Sequence, residues 1–124
     1  MQPRLDDLRR LLLRDRARIR PETWDALWQT MEELCGLEGS WDRTAACRTE
    51  DSLAIVEVVT GRILPGLEAF LALPDAAKPA HADEFRALVD AWRAECRRRG
   101  GRLTRAVAHE WRALAELDAD SDGV

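Results

Sequence analysis

Apolar residues recur along this chain at the three- and four-residue intervals that place side chains on one face of an α-helix. No stretch shows the two-residue alternation of a half-buried strand, and no internal repeat is present. The pattern predicts an all-α fold. The predicted helices cover 3–19, 21–36, a stretch that begins after Thr49, 80–98 and 102–117.

The helix that follows Thr49 is the most apolar part of the chain. Nearly every position from Leu53 to Val59 is apolar, and a helix that is apolar on all sides is normally central and covered by its neighbours. Gly61 and Pro65 are expected to kink or split it, because proline removes a backbone donor and clashes with the preceding turn. A second piece is predicted at 65–73.

The length of the chain and the short links between its predicted helices indicate a single domain. A chain of 124 residues is the usual size of one domain, and short links between amphipathic helices favour antiparallel neighbours. We therefore expect a single-domain bundle of four to five antiparallel helices at 1–117, with a kinked central helix. Residues 118–124 read as an acidic frayed tail. Their D-x-D-x-D-G pattern opens like a calcium loop, but the chain stops before the twelfth-position acid that closes one.

Four of the five tryptophans fall on stripes that are expected to face the core. They are Trp24, Trp28, Trp92 and Trp111, and Leu114 is predicted to turn inward with the last of them. Trp41 is the exception, since it follows Gly36 and Gly39, which are expected to end helix two. An aromatic residue in such a loop serves either as a binding anchor or as a lid on the core, and both readings stay open.

Charges are segregated along the chain. Net charge is +4 over 1–20, −7 over 21–57, +5 over 97–112 and −4 over 113–124, within a total of −4. The arginines of helix one are expected to face the acidic 21–57 block. The +5 block has no acidic segment beside it in sequence, so it is the stronger candidate for a working surface.

The +5 block forms what we call the arginine ridge. Gly100 and Gly101 are expected to turn the chain between helices four and five, with arginines on both sides of that turn. Such a ridge can bind a phosphate backbone or an acidic protein surface, or it can be a solvated helix face. Its members are Arg97, Arg98, Arg99, Arg102, Arg105 and Arg112.

A second charged surface lies on helix two. Four carboxylates share one side of that helix, and together with Trp41 and the arginine ridge they make up the predicted partner-binding surface. The four are Glu22, Asp25, Glu32 and Glu33.

Catalytic and metal chemistry is not indicated. Cys35, Cys47 and Cys96 form no close ligand pair, His81 lies among acids at a predicted helix start, and no nucleophile–base or phosphate-loop motif occurs. We therefore expect no enzyme, no metal and no cofactor. Cys47 is the thiol most expected to be exposed, and a ligand site near Cys47 or His81 is the weakest of three hypotheses.

The leading hypothesis is a small cytoplasmic, non-enzymatic helical protein that acts by protein–protein interaction, as an adaptor, inhibitor or regulatory subunit. The alternative is a nucleic-acid-associated small subunit that contacts backbone phosphates through 97–112. No apolar run is long enough to predict a membrane span. The partner and the oligomeric state stay open.

Overall fold

The computed structural model describes residues 2–41 and 50–122, with side-chain surroundings for residues 4–38 and 50–119. The described chain is all-helical, as predicted, and no strand occurs within it. A 3₁₀ turn at Arg16–Arg18 and a π-helical segment at Val59–Ile63 join α-helices. The α-helices are α1 (Gln2–Arg14), α2 (Pro21–Trp41), α3 (Glu50–Val58), α4 (Leu64–Ala72) and α5 (Lys78–Asp122).

Helix α1 ends earlier than its apolar stripe predicts. Leu5, Leu8 and Leu12 are buried as expected, but the helix stops at Arg14 instead of continuing to residue 19. The buried carboxylate of Asp15 accepts a hydrogen bond from Arg14 Nε at 2.8 Å and one from Arg18 Nη1 at 3.2 Å. Burial alone would raise the pKa of Asp15, but these two guanidinium groups outweigh it and the pKa is lowered. Asp15 therefore organises the turn between α1 and α2.

Helices α1 and α2 pack against each other through Trp24. Its indole Nε1 donates to the Leu12 carbonyl at 2.7 Å, and the Arg16 guanidinium lies 4.3 Å from the centre of its ring. Helix α2 then runs on to Trp41, so the predicted end at Gly36 and Gly39 is wrong. The reason is tertiary, since residues beyond Gly36 still contact the core.

The central rod contains α3, the π-helical segment and α4. Regular α-helix is interrupted at Val59–Ile63, a segment that contains Gly61, where an irregularity was predicted, and Pro65 lies in the first turn of α4. Most of the rod's apolar residues are buried, but Leu53 is exposed, so the rod is not covered on every side.

The turn between α4 and α5 is closed by cations. Lys78 is buried, and its Nζ donates to the carbonyls of Leu71 and Leu73 and to Asp75 Oδ1. Arg18 Nη2 also donates to the Leu71 carbonyl, at 2.8 Å. These donors satisfy the C-terminal carbonyls that a helix leaves unpaired, and they tie α4 to the turn after α1.

Helix α5 is continuous over 45 residues, which overturns the predicted turn at Gly100 and Gly101. No described glycine adopts the positive φ that such a turn uses. Gly100 instead lies against α2, where an added Cβ would stand 3.1 Å from Leu37 Cδ2. Leu103 is buried beyond the glycine pair, as Cys96 is before it, so core packing holds the helix together on both sides.

Helices α2 and α5 run parallel along their contact. Gln29 accepts from Arg93 at 2.6 Å, and four residues further along both helices Glu33 accepts from Arg97 at 2.8 Å. Antiparallel neighbours were predicted, and this pair does not follow that rule. Its parallel course follows from the intervening rod, which turns the chain back before α5 begins.

The rod formed by α3 and α4 runs opposite to α5. Asp51 at its start pairs with Arg99 at 3.0 Å, whereas Phe70 near its end stacks on Phe85, with ring centroids 4.3 Å apart. Helix α5 therefore packs between α2 on one side and this rod on the other. The core lies along its whole inner face from Phe85 to Val107.

We predict that Gly101→Ala stabilises the protein by about 0.5–1 kcal/mol, because alanine is the better helix former and the new methyl group would meet only Arg105 Nη1 at 3.7 Å. Urea unfolding followed by circular dichroism measures the change. A helix-breaking turn at this position would give the opposite sign.

The same substitution at Gly66 has the opposite expected effect. A Cβ there would lie 2.4 Å from the ring of Trp92, so the indole or the backbone must shift. We expect Gly66→Ala to destabilise the protein by about 1–3 kcal/mol in the same unfolding experiment. A neutral or stabilising result would contradict the tight packing of Trp92 against Gly66.

Candidate protein-binding surface

Helix α5 extends beyond the helices that pack against it. Among the residues of α5 up to Ala119, the last buried one is Val107, and every position from Trp111 to Ala119 is exposed. At a rise of about 1.5 Å per residue, residues 108–122 extend roughly 22 Å past Val107. We call residues 108–122 the projecting end.

An unpaired apolar face runs along the projecting end. Trp111, Leu114 and Leu117 are 61%, 55% and 63% exposed. Their spacing of three residues keeps them on one side of the helix, continuing the buried side that carries Leu103 and Val107. We call these three residues the apolar stripe.

The prediction that Trp111 and Leu114 face the core is wrong, because both side chains are more than half exposed in the apolar stripe. The helical periodicity identified the correct side of α5, but core burial also requires a neighbouring helix at that level. Leu117 was missed as a site residue, although its spacing from Leu114 carries the signal. The periodicity of α5 does not show how far the helices packed against it extend.

Four of the six members of the arginine ridge form ion pairs, and the first three of them contact Glu33 or Glu95. Arg97 donates two hydrogen bonds to Glu33, from Nε at 3.2 Å and from Nη2 at 2.8 Å. Arg98 and Arg99 both contact Glu95, one helical turn earlier on α5. Hydrogen bonds from Arg98 and Arg99 lower the pKa of Glu95, and the hydrogen bond from Arg97 lowers that of Glu33.

Asp51 gives Arg99 a second ion pair and adds one further member of the ridge, Arg102. Arg99 Nη1 lies 3.0 Å from its Oδ1, and Arg102 Nη1 lies 3.8 Å from the same atom. Arg105 and Arg112 are exposed, and no carboxylate of the described residues lies within ion-pair distance of them. The ridge is therefore split into a paired part next to α2 and α3 and an open part that leads to the projecting end.

Among the described ion pairs, Glu33 and Asp51 of the acidic 21–57 block contact the arginine ridge. In the described ion pairs, the arginines of residues 1–20 contact carboxylates of their own segment or of the region around the start of α5. Those carboxylates are Asp7, Asp15, Asp75 and Asp83. Helix one does face the 21–57 segment, since Arg9 lies 5.9 Å from the centre of the Trp28 ring, but its described ion pairs do not reach the carboxylates of that segment. The parallel contact of α2 with α5 instead brings Glu33 to Arg97.

The acidic residues of α2 do not act as one surface. Glu22 and Asp25 are exposed near the start of α2, which lies beside Asp83 through its ion pair with Arg20 at 2.7 Å. That level of α5 is roughly four helical turns from Arg97. Glu32 accepts the indole N–H of Trp28 at 2.7 Å, and Glu33 belongs to the ridge contact. The structure thus brings only Glu33 together with the arginine ridge.

Trp41 is the last residue of α2 and does not lie in a loop. Its side-chain surroundings fall outside the described residues, as do Cys47 and the predicted cap at Thr49. Its predicted role as an anchor stays a prediction.

The described residues contain neither a reactive thiol nor a group of metal-binding side chains. Burial raises the pKa of the Cys96 thiol to about 12, and burial also raises the pKa of Cys35. Such thiols are poor nucleophiles at neutral pH. Within residues 2–41 and 50–122, no three metal-binding side chains converge. None of the helices in this part is long and apolar enough to cross a membrane.

Comparison of the chain with protein-family models, with curated proteins and with solved structures finds no match. Inference about function therefore rests on the surface of α5 itself.

We predict that the Arg97–Glu33 contact weakens in acid. Because the folded pKa of Glu33 is lowered, its contribution to stability is present above the unfolded pKa of about 4.3 and is lost as pH falls through the folded value. Arg97→Gln should reduce stability near pH 7 and differ less from the wild type near pH 3, measured by urea unfolding. Arg112→Gln is the control, and an equal loss in both variants at both pH values would contradict the pairing.

Proposed function

We propose that this chain is a non-enzymatic protein that acts by binding another protein through the projecting end of α5. The supporting observation is the apolar stripe, in which Trp111, Leu114 and Leu117 are all more than half exposed on one helix face. Helices α1 to α4 and the first part of α5 form the bundle that holds this end in place. A cytoplasmic location belongs to the same proposal.

The energetics of the projecting end favour a bound partner. Covering apolar surface is worth about 25 cal/mol for each Å² removed from water, and tryptophan is the residue most enriched among binding hot spots. A helical segment shorter than about 12–15 residues is also marginal by itself in water. A partner that covered the stripe would therefore bury apolar area and hold the segment helical at the same time.

Exposed arginines on the opposite face of α5 would supply selectivity. Arg105 and Arg112 lie on the side of α5 away from the stripe, and both are exposed. Exposed charges of this kind steer association and set partner preference more than they add affinity. The paired arginines Arg97, Arg98 and Arg99 instead serve the fold in this proposal.

Nucleic-acid binding is the less favoured alternative. Backbone binding needs several cations that are free to neutralise phosphates. Ion pairs with Glu33, Glu95 and Asp51 occupy Arg97, Arg98 and Arg99, and the chain carries a net charge of −4. A retained nucleic acid at low salt would restore this alternative.

The test is affinity capture from the native source with a double variant, Trp111→Ala and Leu117→Ala. We expect proteins retained by the wild type to be lost, as removal of a hot-spot residue commonly costs about 2 kcal/mol or more. The readout is quantitative mass spectrometry of retained proteins at low and high salt.

A matched control removes exposed leucines elsewhere, Leu53→Ala with Leu88→Ala, at positions that are 65% and 50% exposed. This variant should retain the same proteins as the wild type. Retention that is unchanged by the stripe variant, or that is lost equally in both variants, would refute the proposal.

A further inference from the structure

We infer that a cavity between the turn after α1 and the start of α5, which we call the turn cavity, binds a small organic carboxylate with an apolar body. The site goes beyond the proposed function, because it lies at the other end of α5 from the apolar stripe. From Ala82, in the wall of the turn cavity, to Trp111 the helix rises roughly 40 Å. Support comes from the size of the cavity, its apolar wall and its charged groups.

The turn cavity has the size of a ligand site and is held in shape by the fold. Its volume is about 430 Å³, within the range of about 300–1,000 Å³ that is typical of sites for small molecules. Residues 17–20, α4 and the first turns of α5 enclose it. Arg18 Nη2 and Lys78 Nζ both donate to the Leu71 carbonyl at the end of α4, so hydrogen bonds tie these three segments together. The cavity is therefore present before a ligand arrives.

One wall of the turn cavity is apolar. Ile19, Phe70, Pro79 and Ala82 form it. Ile19, Phe70 and Ala82 are buried, and the ring of Phe70 is also stacked on Phe85, so the wall is fixed by the core. An alkyl or aryl group placed against this wall would lose contact with water, which is favourable in proportion to the apolar area covered. The wall therefore favours a ligand with an apolar body.

The charged side chains of the lining favour an anion. Two of the three cations are largely used by the fold, since Lys78 Nζ donates to the Leu71 and Leu73 carbonyls and to Asp75, and Arg18 donates to Asp15, Asp75 and the Leu71 carbonyl. They add positive potential to the cavity without leaving it without partners. The lining contains three cations and one carboxylate, which are Arg18, Arg20, Lys78 and Asp75.

Arg20 is the cation that can bind the ligand directly. Its side chain is half exposed, and its Nη1 donates to Asp83 Oδ1 at 2.7 Å. The side chain of Asp83 is 92% exposed, and an ion pair of this kind contributes little to stability because water solvates both groups well. A ligand carboxylate can therefore replace Asp83 at small cost, and the planar guanidinium can donate two parallel hydrogen bonds to it.

Titration of the full chain with octanoate, followed by heteronuclear NMR, tests the inference. We expect saturable shifts of the amide signals of Ile19 and Ala82, which lie in the wall of the turn cavity. Acetate lacks the apolar chain and octanamide lacks the charge, so each should bind at least about tenfold more weakly than octanoate.

Two substitutions at exposed positions should change the octanoate affinity in opposite directions. Arg20→Gln removes the partner of the carboxylate and should weaken binding about fivefold to tenfold. Asp83→Asn removes the competing carboxylate and should strengthen binding. Ala17→Phe, at an exposed position of the lining, should fill the turn cavity and abolish binding. Arg112→Gln is the matched control at the far end of α5 and should bind like the wild type.

Four results would overturn the inference. They are the absence of saturable shifts around the turn cavity, equal affinities for octanoate and octanamide, an affinity that Arg20→Gln leaves unchanged, and loss of binding in the variant Trp111→Ala with Leu117→Ala. The last result would place octanoate on the apolar stripe instead. Circular dichroism of each variant confirms that it is folded. Protein capture by the projecting end is measured separately, so failure of the ligand site leaves the proposed function standing.

Discussion

Burial of one long face of α5 is the constraint on which the rest of the structure depends. Its apolar residues fill the space between α2 on one side and the rod of α3 and α4 on the other, from Phe85 through Trp92 to Val107. Gly66 leaves room for the Trp92 ring, and Gly100 lets α2 approach. The small residues and the large ones are therefore two parts of one packing arrangement, and α5 must be continuous for both contacts to form.

The same face changes its role where its neighbours stop. Up to Val107 the apolar side of α5 is core, and past that point Trp111, Leu114 and Leu117 carry the same periodicity into solvent. Nothing in the helix itself changes at the boundary, because a helix repeats its geometry regardless of what lies beside it. An exposed surface thus arises from a difference in helix length between α5 and the elements that cover it.

Electrostatics follow the packing. The parallel contact of α2 with α5 brings Glu33 to Arg97, and the start of α3 brings Asp51 to Arg99. Ion pairs thus occupy the first four arginines of the ridge and leave Arg105 and Arg112 exposed. Arg105 and Arg112 lie on the side of α5 away from the apolar stripe, so the exposed charges and the exposed apolar residues occupy different faces of the helix.

The sequence by itself determined the all-helical class, most of the core and the place where the central rod departs from regular α-helix, because periodicity, proline and glycine act locally. Local signals were wrong at Gly100 and Gly101, where packing of Leu103 and Cys96 outweighs the low helix propensity of glycine. Only the tertiary structure decided which arginines are paired and that Trp111 is exposed. Both depend on which helix lies alongside and on where it ends, and those are properties of other segments of the chain.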